Sequence, residues 1–433
     1  MILILGAGLT GLSTGCALGE REHLIVEQEK QAGGLCRSFK VDGFTFDLTG
    51  HLLHLRDDKI RKFVDKILPE DSWNVIERRS WIYSHDMYTP YPFQANTYGL
   101  PPQVIRDCVL GFVQMLLDTK DEAEVDLSAL SFRDWIHRTF GEGIARHFME
   151  PFNEKLWLRD LSEMTCDWVS WSIPRPKLED VLNGALGLGN KPMGYNTNFR
   201  YPKEGGISTL ANAVAAKAGE IRTGCRVTKI DVRRRRATFQ DGTTLDYESL
   251  VSTIPLDRLL SMADGIPDGV QQSGAGLKSI SVINLNLGVD RPDLSDKHWI
   301  YFPEKEFPFY RVGFPGNFSS SMVPEGGSSV YVELSTPSGG IVEERDVYDS
   351  CLQGLRKAGI LRPDDRIVSR KMLVIDPAYV IHDRYRRVAL PAIFQALEKE
   401  HIHSLGRFGG WEYSSMEDAL RHGMEMAERL TAD

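Results

Sequence analysis

Residues 1–13 read MILILGAGLTGLS, and their reading decides the fold. Ile2 to Leu5 form a short apolar run of the kind that makes a buried strand. Gly6-Ala7-Gly8-Leu9-Thr10-Gly11 follows in the spacing G-x-G-x-x-G, and Leu12 to Leu18 can continue as a helix. In that context Gly6 permits a tight turn, Gly8 lets the backbone approach a pyrophosphate, and Gly11 allows close helix–strand packing. A second apolar run, His23 to Val26, ends at Glu27, where an acid meets a ribose hydroxyl in a dinucleotide site. The pattern predicts a Rossmann-like α/β domain that binds a dinucleotide.

The bounds set by composition agree. A chain of 433 residues can bury a large core and is expected to form more than one domain. With 51 Lys and Arg against 60 Asp and Glu, the net charge is −9, which argues against a nucleic-acid surface. The one basic run, Arg233–Arg236, reads as a solvated hairpin turn. No apolar stretch approaches membrane-spanning length, and a core strand at the first residue leads us to expect no cleaved leader. Cys16, Cys36, Cys108, Cys166, Cys225 and Cys351 lack metal-ligand spacing, so no metal site is expected and a cytoplasmic protein with reduced thiols is.

Further along, Ala32-Gly33-Gly34-Leu35-Cys36-Arg37-Ser38 places a bare glycine pair after Glu27, with Arg37 adding charge. Residues 100–190 turn to helical periodicity, with Ser131 able to cap a helix and Asp134 three residues on. From about 225 to 380 the pattern is mostly strand-like, with a crossover helix over Val347–Ala358, and the chain ends in a helix from about Met416 to Leu430. The expected organisation is a discontinuous dinucleotide domain (1–98, 195–225 and 390–433), an inserted helical domain (99–194) and an antiparallel sheet domain carrying the substrate side (226–389).

The glycine pair resembles the second fingerprint of FAD proteins in the amine oxidase and protoporphyrinogen oxidase group. Longer stretches carry a narrower resemblance: TGHLL, YTPYPFQ, HFMEPFNEKLW, FRYPKEGG, DKHWIYFPEKEFPFYR and SLGRFGGWEY. Together they resemble the UDP-galactopyranose mutase family, more its eukaryotic-type branch than the short bacterial one. That resemblance implies FAD as cofactor, active when reduced, with NADPH or NADH as a possible reductant. It also implies a nucleotide-sugar substrate, most simply UDP-galactopyranose converted to UDP-galactofuranose. The implied chemistry has no net redox change, with reduced flavin N5 attacking the anomeric carbon while UDP leaves.

Residue by residue, the resemblance implies cofactor contacts from Gly6, Gly8, Leu9, Thr10, Gly11, Glu27, Gly33, Gly34, Leu35, Gly50, His51, Val227, Gly406 and Met416. It implies catalytic roles for His51 and Arg311. It implies substrate contacts from Tyr91, Phe93, Gln94, Trp157, Asn196, Trp299, Tyr301, Arg311, Tyr379, Arg407 and Tyr413. His51 also reads as a packed histidine bonded to backbone, and Trp299 and Tyr301 as alternating core aromatics. Two departures stand out: Ser172 where the family carries a second diphosphate arginine, with Arg175 three residues on as a substitute, and Phe318 where a tyrosine is expected. The competing reading is an FAD-dependent oxidoreductase, amine oxidase- or desaturase-like, on the same scaffold. The oligomeric state stays open.

Overall fold

The computed structural model describes residues 1–120, 126, 129–169, 173–189, 193–194 and 197–432. The run at the N-terminus forms the strand Ile2–Leu5, which sits at the centre of a five-stranded parallel sheet. Across the sheet the order is Ile402–Ser404, Ser249–Ser252, Ile2–Leu5, His23–Val26 and Ile221–Arg222. Such a central strand is buried on both faces, which is why it reads as an unbroken apolar run rather than an alternating one. Ile2 and Ile4 join the core on one side with Leu12, Leu210 and Val214, while Leu3 and Leu5 join Leu250, Leu256 and Leu260 on the other.

Helix Leu9–Leu18 lies on this sheet and is covered by the C-terminal helix Met416–Ala432. Their approach is so close that a Cβ on Gly423 would fall 2.1 Å from Ser13 Oγ and 2.3 Å from the Thr10 carbonyl.

A seven-stranded mixed sheet forms the second layer. Its order is Ile367–Val380, Ser279–Val289, Ser328–Pro337, Arg311–Gly313, Trp299–Tyr301, Ser80–Ser84 and Met87–Pro90. All neighbours are antiparallel except Trp299–Tyr301 with Ser80–Ser84. The helical block packs helices Pro102–Asp118, Phe132–Ile144, Glu150–Trp157 and Leu178–Leu186 around Phe112, Trp135, Phe140 and Phe148. Ser131 and Asp134 form the reciprocal cap on helix Phe132–Ile144, Asp134 N–H donating to Ser131 Oγ at 3.1 Å. The crossover helix spans Glu344–Lys357.

Strand membership differs from the expected division in two places. Ser249–Ser252, read as part of the 226–389 sheet domain, pairs instead with Ile2–Leu5 in the parallel sheet. The preceding hairpin, Val227–Asp231 with Arg236–Phe239, belongs to a separate small sheet beside it. Conversely, Ser80–Ser84 and Met87–Pro90, placed within 1–98, extend the seven-stranded sheet. An apolar run identifies a strand locally, but its partner is chosen by tertiary packing that the run itself does not encode.

Candidate active site

The two glycine motifs meet. Gly6 (φ +96°) and Gly34 (φ +56°) occupy left-handed backbone, and a Cβ on Gly34 would come within 2.9 Å of Gly8 Cα. Gly11 is required for packing: its Cβ would fall 2.0 Å from the Gly6 carbonyl oxygen. Gly8 caps helix Leu9–Leu18 without any side-chain hydrogen bond, so the first-turn N–H groups keep no internal acceptor and face a cavity of about 850 Å³. Glu27 is buried and accepts from Ala7 N–H and Glu29 N–H, both at 2.9 Å, which fixes its carboxylate at the cavity wall. Arg37 donates to the Gly34 carbonyl at 2.8 Å. Bare backbone, an uncapped helix start and a fixed acid suit a dinucleotide. Leu9, Thr10, Gly33, Leu35, Gly50, His51, Val227 and Met416 line the same cavity.

The opposite wall is the polar face of the seven-stranded sheet. On strand Ser328–Pro337, Val330, Val332 and Leu334 point into a core with Ile300 and Val312, so Tyr331 and Glu333 point the other way. The register builds two adjacent cross-strand rows: Asn284, Glu333, Arg311, Tyr301 and Asn286, Tyr331, Gly313, Trp299. Trp299, Tyr301, Arg311 and Tyr331 reach the cavity.

Arg311 pairs bidentately with fully buried Glu333, Nε to Oε2 and Nη2 to Oε1 both at 2.8 Å. Thr49 donates to the same carboxylate, tying the Thr49-Gly50-His51 loop to the pair. Burial works against the charged form of Glu333, yet the Arg311 guanidinium holds its carboxyl below the usual range. Arg311 therefore brings little net charge.

Arg407 does. Its guanidinium donates to the Ser414 and Ala378 carbonyls at 2.8 and 3.1 Å. It lies 5.2 Å from the ring centroids of both Tyr379 and Tyr413, which stack on each other at 6.0 Å. No carboxylate among the described residues pairs with it. Burial pushes the Tyr413 phenol up to about 12, so it stays a neutral donor. Burial, with Arg407 close by, pushes the His51 imidazole down to about 4, so His51 is neutral at pH 7. Its Nδ1 is buried without a partner among the described residues.

Several expected contacts sit one layer back from the cavity. Phe93 is fully buried and stacks on Phe148 at 4.9 Å, and Gln94 is buried with its amide donating to the Pro174 carbonyl at 2.6 Å. Tyr91 packs on Tyr301 at 5.5 Å with Arg78 over its ring. Trp157 backs Tyr379 edge-on at 5.5 Å. Tyr91 and Trp157 thus pack against residues that line the cavity, Tyr301 and Tyr379. Gly11 and Gly406 likewise act through packing; a Cβ on Gly406 (φ +80°) would meet Thr10 Oγ1 at 2.7 Å. Arg175 lies exposed over the Trp135 ring at 5.4 Å, away from the cavity lining. Phe318 packs in the core against Phe199 and Tyr201. Asn196 and Ser172 lie outside the described residues. The residues not anticipated are Glu333, Thr49 and Tyr331; the alternation in SSVYVELS was the available signal for two of them.

Comparison with known proteins places this arrangement. The model of flavin-containing amine oxidoreductases matches residues 9–431. A crystal structure of reduced UDP-galactopyranose mutase is 30% identical, with a TM-score of 0.93 over 100% of this chain and 93% of that one. Wild-type putrescine oxidase bound to putrescine shares the fold at 14% identity and a TM-score of 0.65, over 100% of this chain and 99% of that one. Curated relatives match only in part. Inactive all-trans-retinol 13,14-reductase of Danio rerio is 42% identical over 11% of this chain, which is 8% of that protein's length. A 4,4'-diapophytoene desaturase of Staphylococcus aureus (strain MRSA252) is 32% identical over 20% of this chain and 17% of its own. The chain belongs to the flavin-containing amine oxidoreductase family and, within it, to the UDP-galactopyranose mutase branch. The cofactor that fits the glycine arm is accordingly FAD.

Proposed function

We propose that this protein is a nucleotide-sugar mutase that interconverts pyranose and furanose forms, with UDP-galactose as the first substrate to test. The observation that carries the reading is the continuity of one cavity. Its glycine-lined arm runs directly into a compartment walled by Arg311, Arg407, Tyr379 and Tyr413. Two guanidiniums flanked by phenols suit a diphosphate leaving group, for which an amine or polyene site has no use.

Bound and reduced, the flavin supplies the nucleophile for the anomeric carbon. The chain supplies everything around it. Arg407 offers the uncompensated positive charge, Arg311 a guanidinium held rigid by Glu333, and the two phenols neutral donors for phosphate oxygens. Trp299, Tyr301 and Tyr310 enclose the sugar compartment and limit water. Neutral His51 can accept or donate at the cofactor face without adding charge. NADPH or NADH is the proposed reductant. No described helix is long and apolar enough to cross a membrane. The six unbonded cysteines fit a reducing, cytoplasmic setting, which we also propose.

The test is anaerobic incubation of the dithionite-reduced flavoprotein with UDP-, TDP- and GDP-hexoses, reading products by chromatography. Furanose product without stoichiometric reductant use supports the proposal. Equal activity from the oxidised protein, or oxygen consumption with amines instead, overturns it.

A further inference from the structure

We propose that Tyr331 is a positioning residue for the flavin ring, its hydroxyl donating a hydrogen bond to the ring system held against the Thr49-Gly50-His51 loop. This rests on the flavin and not on the sugar chemistry, so it goes beyond the mutase reading and does not depend on it.

The placement of the ring is unusually constrained. Tyr331 lies directly opposite Gly313 across the strand pair, and a Cβ on Gly313 would fall 2.1 Å from Tyr331 Cζ. A glycine inside a strand marks a close approach by another group, and here that group is the tyrosine ring. The ring crosses this gap and ends at a second one: a Cβ on Gly50 would fall 2.3 Å from the Tyr331 hydroxyl. Two glycines from separate parts of the chain therefore open the path along which one side chain reaches the loop carrying His51. Neither gap serves any other side chain so closely.

Tyr331 is 3% exposed and lines the cavity. A phenol on the wall of a cavity presents a donor to whatever group fills that space. Close by, Trp299 Nε1 and His51 Nδ1 are buried with no partner among the described residues. Trp299 stands in the same cross-strand row as Tyr331, and His51 follows Gly50 in the chain. The Tyr331 hydroxyl, held against Gly50 at the cavity wall, offers a donor to something carrying acceptors in a flat outline. A flavin ring, continuing from the glycine arm along the same cavity, has that chemistry. Burial also pushes the Tyr331 phenol up, so it serves as a donor throughout the working pH range.

The test compares Tyr331→Phe, which keeps the ring and removes only the donor, with replacement of Tyr331 by 3-fluorotyrosine, a stronger donor of nearly the same size. Both are prepared as flavin-loaded protein. The visible flavin spectrum and the ratio of dissociation constants for oxidised and reduced FAD are measured, with thermal melting as a control for packing. The expected result is a change in that ratio of at least threefold in Tyr331→Phe, a shift of opposite sign in the fluorotyrosine protein, and melting close to wild type. If Tyr331→Phe fails to load flavin, the fluorotyrosine protein decides by itself. Unchanged spectrum and ratio in the flavin-loaded variants overturn the proposal, as does a loss confined to UDP affinity, which would direct the hydroxyl at substrate instead. Absence of mutase activity in every sample leaves these flavin readouts intact, so the two readings fail separately.

Discussion

Removing Arg311 should do two different things, and the buried partner separates them. Glu333 is fully buried and takes both of its strong contacts from Arg311, with Thr49 as the third donor. In Arg311→Met that fully buried carboxylate loses its counter-charge. Breaking a buried ion pair from one side costs about 3–5 kcal/mol, most of it the penalty of the orphaned charge. The double variant Arg311→Met with Glu333→Gln removes that charge and should recover the greater part of the loss. Urea unfolding of the flavoprotein gives the stabilities. For binding, a charge-assisted contact is worth roughly 1.5–3 kcal/mol, about ten- to a hundred-and-fifty-fold in affinity. UDP titration should show a loss in that range in the double variant and a larger one in Arg311→Met, where Glu333 repels the diphosphate. Glu333→Gln alone should tighten UDP while lowering stability, because Arg311 keeps its charge and loses its neutraliser. Equal stability losses in the single and double variants would refute the pairing argument. Wild-type UDP affinity in both would place the diphosphate elsewhere.

Gly8→Ala should fold as apoprotein yet bind FAD poorly, because its Cβ meets only Gly34 Cα at 3.9 Å and threatens the approach to pyrophosphate; flavin absorbance per protein and apoprotein melting check this. Arg175→Ala should leave UDP affinity unchanged, since that guanidinium rests on Trp135; a tenfold loss by titration would restore it as a diphosphate ligand. Acid should destabilise the fold through His382, whose imidazole is pushed down to about 3 by burial and then by Arg386 nearby. A depressed folded-state pKa means that the unfolded chain takes up the proton first. The His382 contribution is thus complete above about pH 6.5 and lost as pH falls from there toward 3, with a limiting slope of about 1.4 kcal/mol for each pH unit. His382→Leu should flatten that slope in urea midpoints measured from pH 7 to 4. It should forfeit no side-chain hydrogen bond seen in the structure, because neither ring nitrogen has a partner among the described residues.

How much of this was legible depends on whether a residue's role is local. Gly6, Gly8, Gly11 and Gly34 were readable because each answers a requirement of its own backbone or of its nearest neighbour. The cap at Ser131 and Asp134 was readable for the same reason. Glu333 was not, since its meaning lies in Arg311, 22 residues earlier, and becomes visible only when the register sets them opposite each other. Tyr91, Phe93, Gln94 and Trp157 show the converse. The motifs mark them in the chain, but depth within a wall is a property of packing that a motif does not carry. Strand partnership failed similarly, because Ser249–Ser252 reads as a strand whichever sheet receives it.

The parallel sheet has a further consequence for how the molecule comes into being. Its central strand, Ile2–Leu5, is made about 400 residues before its edge strand, Ile402–Ser404, and the covering helix, Met416–Ala432. Arg21 donates to the carbonyl of Leu430, a contact spanning 409 residues. On a ribosome adding about 5–20 residues per second, the opening strand waits tens of seconds for its final neighbours. During that wait the helical block, whose contacts are local, can already close, while the apolar faces of Ile2–Leu5 and Leu9–Leu18 stay uncovered. A polypeptide released before Met416–Ala432 is made would keep those faces open, so the cofactor arm is completed only once that helix has emerged.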